Sequence, residues 1–235
     1  MSRATRIVDG IWALPSRVGR AYLADTDAGL VLFDTGGSGS ARVILSALRS
    51  LGRSAESVQR IVLSHYHTDH IGGAKELRAA TGAPTMAHAR DADVIRGERE
   101  MPRLKREGRL GVLAPILDRL ATFEPCPVDV IFPDEIDEMP LGIADLRVVY
   151  TPGHTMGSVS LFVPGRRGAL LGDTLFNFLG RLSLSWGIDT EDRSAAVQTA
   201  KRIAELDFDL ACFGHGRVIR EKAADRVRSF VKKLG

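Results

Sequence analysis

Seven side chains of this 235-residue chain have the types and spacing to hold metal. His65-Tyr66-His67-Thr68-Asp69-His70 places three imidazoles and a carboxylate within six residues, a cluster costly to pack without a partner. His154, Asp173 and His215 stand far downstream, each in a turn containing Gly or Thr. Neutral imidazole nitrogen binds zinc at about 2.0–2.1 Å and carboxylate oxygen at about 2.0–2.2 Å. Alternate side chains of an extended segment share a face, so His65 and His67 can chelate one ion. Asp69 and His70 fall where the chain turns toward helix and can face a second ion. Asp173, with two oxygens, can bridge the pair, and His154 and His215 would complete the two shells.

An apolar, strand-like run precedes each of these positions: IVLS at 61–64, DLRVVY at 145–150, GALLG at 168–172 and LACF at 210–213. Were these strands neighbours in one sheet, their ends would meet on one rim, where loops carried by a rigid scaffold do chemistry. Helical spacing marks residues 40–51, with Ser40 as N-cap and Gly52 as stop, and also 73–81, 191–205 and 221–234. Residues 88–122 form a charge-rich helical excursion that Pro102, Gly108, Gly111 and Pro115 should break, either a lid or an ordinary solvated segment. Strands mixed with helices along the whole chain predict an α/β (α+β) sheet core under helices, in a single domain over 1–235. LFDTGG at 32–37 and LLGDTLF at 170–176 faintly suggest duplication.

Other candidates read more plainly. His88 is expected to be a structural or solvated surface histidine. Asp34, at a strand end, should hold a turn or support a ligand from behind. Cys212, inside LACF, should be a small buried residue rather than a ligand. Residues 88–122 and the loop Phe176–Ile188, with Arg181 and Trp186, are the expected pocket walls.

Composition sets the outer limits. Apolar residues make up 44% and charged residues 26%, and the net charge is +3, too mild to call for nucleic acid or an anionic membrane. No apolar run approaches the roughly 18 residues of a membrane span. The N-terminal segment, interrupted by Asp9 and Gly10, does not read as a signal peptide. Two cysteines, Cys126 and Cys212, cannot make a disulfide framework, and a cytoplasmic address is expected.

These segments resemble the metallo-β-lactamase superfamily. His65 to His70 match its HxHxDH motif, Thr151-Pro152-Gly153-His154-Thr155 its TPGHT, Gly172-Asp173-Thr174-Leu175-Phe176 its GDxLF, and Gly214-His215-Gly216 its GHG. Leu32-Phe33-Asp34-Thr35-Gly36 is similar to its early FDTG, and all stand in family order. The resemblance implies a four-layer αββα sandwich with two divalent ions, zinc first and iron or manganese as alternatives, at one edge of the sheets. It also implies His65, His67 and His154 on one ion, Asp69, His70 and His215 on the other, and Asp173 bridging. The expected activity is hydrolysis by a metal-bridging hydroxide that attacks an ester, lactone, thioester or similar carbonyl of a small molecule. Asp69 is the expected catalytic acceptor, steering the proton of that water.

Departures from the family's branches narrow the choice. Lactonases of the superfamily carry tyrosine three residues after the bridging aspartate, where this chain has Phe176; Tyr22, Tyr66 or Tyr150 would have to substitute. Glyoxalase II enzymes add a glutathione-binding helical domain, not expected here because Gly235 lies 20 residues past His215. Three readings rival the hydrolase: a mononuclear-iron persulfide dioxygenase, a phosphodiesterase or nuclease, and a non-catalytic protein that keeps metal for folding. The sequence does not read on oligomeric state.

Overall fold

The computed structural model describes residues 3–106, 111–134 and 136–234. A first, seven-stranded sheet follows chain order: β1 (Thr5–Val8), β2 (Ile11–Leu14), β3 (Ala21–Thr26), β4 (Gly29–Phe33), β5 (Val58–Val62), β6 (Thr85–His88) and β7 (Val130–Phe132). The first four strands run antiparallel, and β4 to β7 are parallel. The second sheet contains β8 (Glu138–Pro140), β9 (Arg147–Tyr150), β10 (Val159–Val163) and β11 (Gly168–Leu170), with β14 (Leu210–Cys212) added parallel to β11 at the far edge. Between them in the chain lies a small ribbon, β12 (Phe176–Phe178) paired with β13 (Arg181–Ser183). The helices are α1 (Ser40–Ser50), α2 (Thr68–Ile71), α3 (Ala74–Thr81), α4 (Ala89–Ile95), α5 (Ala114–Leu120), α6 (Arg193–Glu205) and α7 (Ala223–Val231).

Strand alternation builds the layers. Along β4, Leu30 and Leu32 face one way and pack with Ile44 and Leu48 of α1 and Leu77 of α3. Val31 and Phe33 face the other way and meet Leu161, Val163 and Leu170 of the second sheet. Phe162 and Ala169 turn outward again and lie under Ala200 and Ile203 of α6 and Val227 of α7. Three apolar cores separated by two sheets make a four-layer αββα sandwich, as the resemblance implied. Both sheets are nearly apolar on both faces because both faces are covered.

Local details depart from expectation. Ser40 is the first residue of α1 rather than its cap, which is Gly39 at φ 77°; the Ser40 hydroxyl accepts the Arg17 N–H instead. Pro115 does not break the helical excursion. It sits in the first turn of α5, where a missing N–H costs nothing. Residues 100–106 have no helix, and Gly108 lies outside the described residues. No described helix is long and apolar enough to cross a membrane.

Candidate metal centre

The four chemistry-bearing strand ends do not belong to one sheet. β5 lies in the first sheet, whereas β9, β11 and β14 lie in the second. The sandwich brings them together at the edge the two sheets share. Val159 N–H donates to Ser64 O at 2.8 Å and the Tyr22 hydroxyl to Phe213 O at 2.7 Å across the interface, while Gly214 N–H donates to Gly172 O at 2.7 Å within the second sheet.

Behind β5 the chain stays extended through His67, whose backbone caps α2, so Asp69 and His70 ride on the first turns of that helix. His65 Nε2 lies 3.1 Å from His67 Nδ1, which lies 2.9 Å from His154 Nε2. His70 Nε2 is 3.6 Å from Asp69 Oδ2 and 3.3 Å from Asp173 Oδ1. His215 Nε2 is 3.0 Å from Asp69 Oδ2 and 3.4 Å from Asp173 Oδ2, and that same oxygen is 3.4 Å from His154 Nε2. All seven predicted residues are therefore gathered, with one set of donors made by His65, His67 and His154, another by Asp69, His70 and His215, and Asp173 touching both. Ligands on a tetrahedron of about 2.0–2.1 Å radius stand about 3.3–3.4 Å apart. The observed separations scatter around that edge length.

The hydrogen bonds behind the cluster decide which way the imidazole lone pairs point. Asp34, fully buried at φ 63°, accepts Ser64 N–H at 2.7 Å, the Ser64 hydroxyl at 2.8 Å and His70 Nδ1–H at 2.7 Å. The Ser64 hydroxyl has then used its proton, so its oxygen accepts from His65 Nδ1 at 2.8 Å. Each ring thus keeps its Nδ1 proton turned away from the cluster, which leaves Nε2 as the atom that faces the centre. The buried His70 Nε2 and Asp173 Oδ1 have no hydrogen-bond partner among the described residues. A buried ring nitrogen and a buried carboxylate oxygen, both without partners and converging beside Asp69 and His215, suit a cation.

Electrostatics point the same way. Burial, with the other imidazoles adding, pushes His65 well below its ordinary value. Burial lowers His67, and burial with His67 beside it takes His154 down to about 3. These three are neutral donors at physiological pH. Burial also pulls on His70, but the carboxylates of Asp173, Asp69 and Asp34 outweigh it and hold the ring well above its usual range. Burial works against the charged forms of Asp69 and Asp173 too, yet His70 and other nearby imidazoles hold both carboxyls below their usual range. The carboxylates thus demand positive charge at the centre, which protons supply in the bare protein and a divalent cation would supply by displacing them.

Other expectations can now be placed. Asp34 supports His70 from behind, as expected. Cys212 is buried between the sheets, also as expected. His88, expected at the surface, is fully buried at the end of β6, caps α4 and stacks on Tyr150 with ring centroids 4.4 Å apart. A cavity of about 370 Å³ opens over His67 and Asp69, walled by Val18, Met101, Leu104 and Asp189. Residues of the 88–122 excursion therefore do form a wall. Arg181 and Trp186 are not among the residues lining it; Trp186 stacks on Phe178 instead. None of the three tyrosines is free to replace a lactonase tyrosine. Their hydroxyls donate to Phe213 O from Tyr22, to Glu191 Oε1 from Tyr66, and to Met156 O from Tyr150.

A model of the metallo-beta-lactamase superfamily matches residues 15–215. The chain belongs to that superfamily. Among curated relatives, hydroxyacylglutathione hydrolase of Rhodospirillum rubrum is 28% identical over 165 residues, covering 68% of this chain and 51% of that enzyme, so the match spans about half of the relative. The probable metallo-hydrolase YflN of Bacillus subtilis is 24% identical over 224 residues, covering 88% and 84% of the two chains. Among solved structures, the metallo-beta-lactamase MIM-1 of Novosphingobium pentaromativorans superposes with a TM-score of 0.72 at 23% identity, covering 98% of this chain and 87% of that one. That likeness establishes the superfamily's fold in this chain.

Sequence reasoning missed three carboxylates at the site, two of which hold its loops. Asp91 is buried beneath it and accepts Tyr66 N–H at 3.1 Å and the Thr155 hydroxyl at 2.7 Å; burial pushes it up to about 7. Glu191 accepts the Tyr66 hydroxyl and Met156 N–H, both at 2.7 Å, tying the loops of His65–His67 and His154 together. Asp189 stands at the cavity wall beside His154, and burial, with Asp173 adding, pushes it up to about 7 as well. Asp91 carried one readable signal: with Val94 and Ile95 it forms an i, i+3, i+4 set on the apolar face of α4. Glu191 and Asp189 carried none.

Proposed function

We propose that this protein is a metal-dependent hydrolase of small carbonyl compounds, an ester, lactone or thioester, working with two divalent cations of which zinc is the first choice. His65, His67 and His154 would hold one, Asp69, His70 and His215 the other, and Asp173 would reach both. The observation that carries the reading is the pair of inward-facing Nε2 atoms on His65 and His70, set by the Nδ1 contacts to Ser64 and Asp34, within a donor cluster spaced like a tetrahedral shell. Such a cation pair supplies Lewis acidity and an acidified water at neutral pH.

The chain's own residues supply the rest. Asp69 is the acidic member of the donor set that lines the cavity, with its side chain about a quarter exposed, so it can accept a hydrogen bond from the substrate side and steer a proton there. Asp34 and Ser64 hold the Nδ1 protons of His70 and His65, so that Nε2 is the ring atom left to donate electrons inward once a cation displaces any proton there. Val18, Met101 and Leu104 form an apolar wall that limits water around the acyl group. Both cysteines are unpaired and buried, which suits a reducing compartment such as the cytoplasm.

The test is elemental analysis of protein purified without added metal, followed by a panel of lactones, thioesters, a phosphodiester and a chromogenic cephalosporin. The expected result is about two cations per chain and turnover of a carbonyl substrate that a chelator abolishes and zinc restores. A fully loaded protein inert across the panel would refute the hydrolase reading. One iron per chain, with oxygen uptake on glutathione persulfide, would replace it with the dioxygenase.

A further inference from the structure

His154 differs from His65 and His70 in what stands behind it. Its Nε2 faces the donor cluster, 2.9 Å from His67 Nδ1 and 3.4 Å from Asp173 Oδ2. Its Nδ1 points away, is buried, and has no hydrogen-bond partner among the described residues. Asp189 Oδ1 lies 4.0 Å from that nitrogen and is itself buried and unpartnered. Two orphaned, complementary groups thus face each other across a gap about 1 Å too long for a charge-assisted hydrogen bond.

The backbone holds them opposite one another. Glu191 N–H donates to His154 O and Asp192 N–H to Gly153 O, both at 2.9 Å, and Glu191 Oε2 accepts Met156 N–H at 2.7 Å. The two loops are therefore tied together, with the His154 and Asp189 side chains left 4.0 Å apart. An imidazole N–H and a carboxylate oxygen buried without partners each carry an uncompensated desolvation cost, so closure is favourable once the Nε2 is engaged.

We propose that Asp189 is the positioning residue for His154: its carboxylate accepts Nδ1–H, fixes the tautomer that leaves Nε2 bare, and raises the basicity of that nitrogen toward a cation. The inference rests on the metal reading above. It gives His154 the support that Asp34 gives His70 and Ser64 gives His65, from a residue 35 positions downstream. Asp189 also lines the cavity, so its competing role would be to receive a cationic group of the substrate.

Three forms decide the matter: wild type, Asp189→Ala and Asp189→Asn, each stripped of metal and titrated with zinc against a chromogenic chelator. Asp189→Ala should weaken zinc binding by about 10–100-fold, while Asp189→Asn, whose amide oxygen still accepts the Nδ1–H, should fall between. Metal-free Asp189→Ala should be no less stable than metal-free wild type, so a lost zinc affinity is not lost folding. In the zinc-loaded wild type a downfield exchangeable proton assigned to His154 Nδ1 should be visible by NMR and vanish in Asp189→Ala. Wild type that binds zinc tightly, with Asp189→Ala binding it equally well, would overturn the inference and leave the metal reading intact. A raised KM for cationic substrates at unchanged zinc affinity would assign the residue to substrate instead. Wild type that takes up no zinc would overturn the metal reading and this inference together.

Discussion

Replacing one oxygen of Asp34 by nitrogen should disarm the proposed metal site while leaving the fold standing. Asp34 is fully buried and accepts three hydrogen bonds: from Ser64 N–H, the Ser64 hydroxyl and His70 Nδ1–H. In Asp34→Ala all three donors lose their acceptor. Hydrogen bonds to a charged group are worth about 1.5–3 kcal/mol each, but removing the carboxylate also relieves its own desolvation, so the loss should be about 3–5 kcal/mol. Alanine at φ 63° adds about 1 kcal/mol, a penalty that asparagine largely escapes. In Asp34→Asn the side-chain oxygen still accepts Ser64 N–H, and the amide nitrogen faces Ser64 Oγ and His70 Nδ1. It must donate where the carboxylate accepted. Ser64 then turns its proton to His65 Nδ1, and His70 Nδ1 becomes an acceptor. Both rings are driven to the tautomer with Nε2–H pointing into the cluster, against any cation. The metal-free stability of Asp34→Asn should fall by only about 1–2 kcal/mol, whereas zinc affinity should fall by at least about 10–100-fold. Urea unfolding of the stripped proteins gives the first quantity and chelator competition the second. Undiminished zinc affinity in Asp34→Asn, or Asp34→Ala as stable as wild type, would refute the tautomer argument.

Gly214→Ala should abolish zinc uptake, because a Cβ there would collide with Asp173 Oδ1 and lie 2.6 Å from His70 Cε1; elemental analysis showing full occupancy would refute the crowding. Asp91, raised to about 7 by burial, makes the metal-free fold pH-dependent with a definite sign. A carboxyl whose folded value is raised stabilises fully below its unfolded value near 4, and the contribution is lost as pH rises to about 7. Asp91→Asn removes that titration and keeps an acceptor for Tyr66 N–H. Its urea midpoint relative to wild type should climb between about pH 4 and pH 7, by up to about 4 kcal/mol in stability. Parallel curves for the two proteins would refute the assignment.

The seven cluster residues were legible because each requirement is local. Period-two geometry puts His65 and His67 on one face, a helix start puts Asp69 and His70 one turn on, and an apolar run before each remaining residue marks a strand end. The partition of those strands was not legible. A run such as LACF is apolar whether it lies in one sheet or the other, since both sheets are covered on both faces, and nothing in four residues says which sheet it joins. The same limit hid β6: Thr85-Met86-Ala87-His88 is too short and too polar at its ends to read as a strand, so His88 reads as a structural or solvated surface histidine, whereas Tyr150 covers it. The supporting carboxylates show a second limit. Asp91 and Glu191 lie in charge-rich runs, where most acidic groups are solvated and one is not. What distinguishes the buried one is a partner far along the chain, Thr155 for Asp91 and Tyr66 for Glu191, and only the closed sandwich brings those partners within reach. Residues that bind are thus written in short spacings, while residues that aim the binders are set by contacts between loops of different sheets. For that reason Asp189, which faces His154 across such a contact, could be found only after the fold was known.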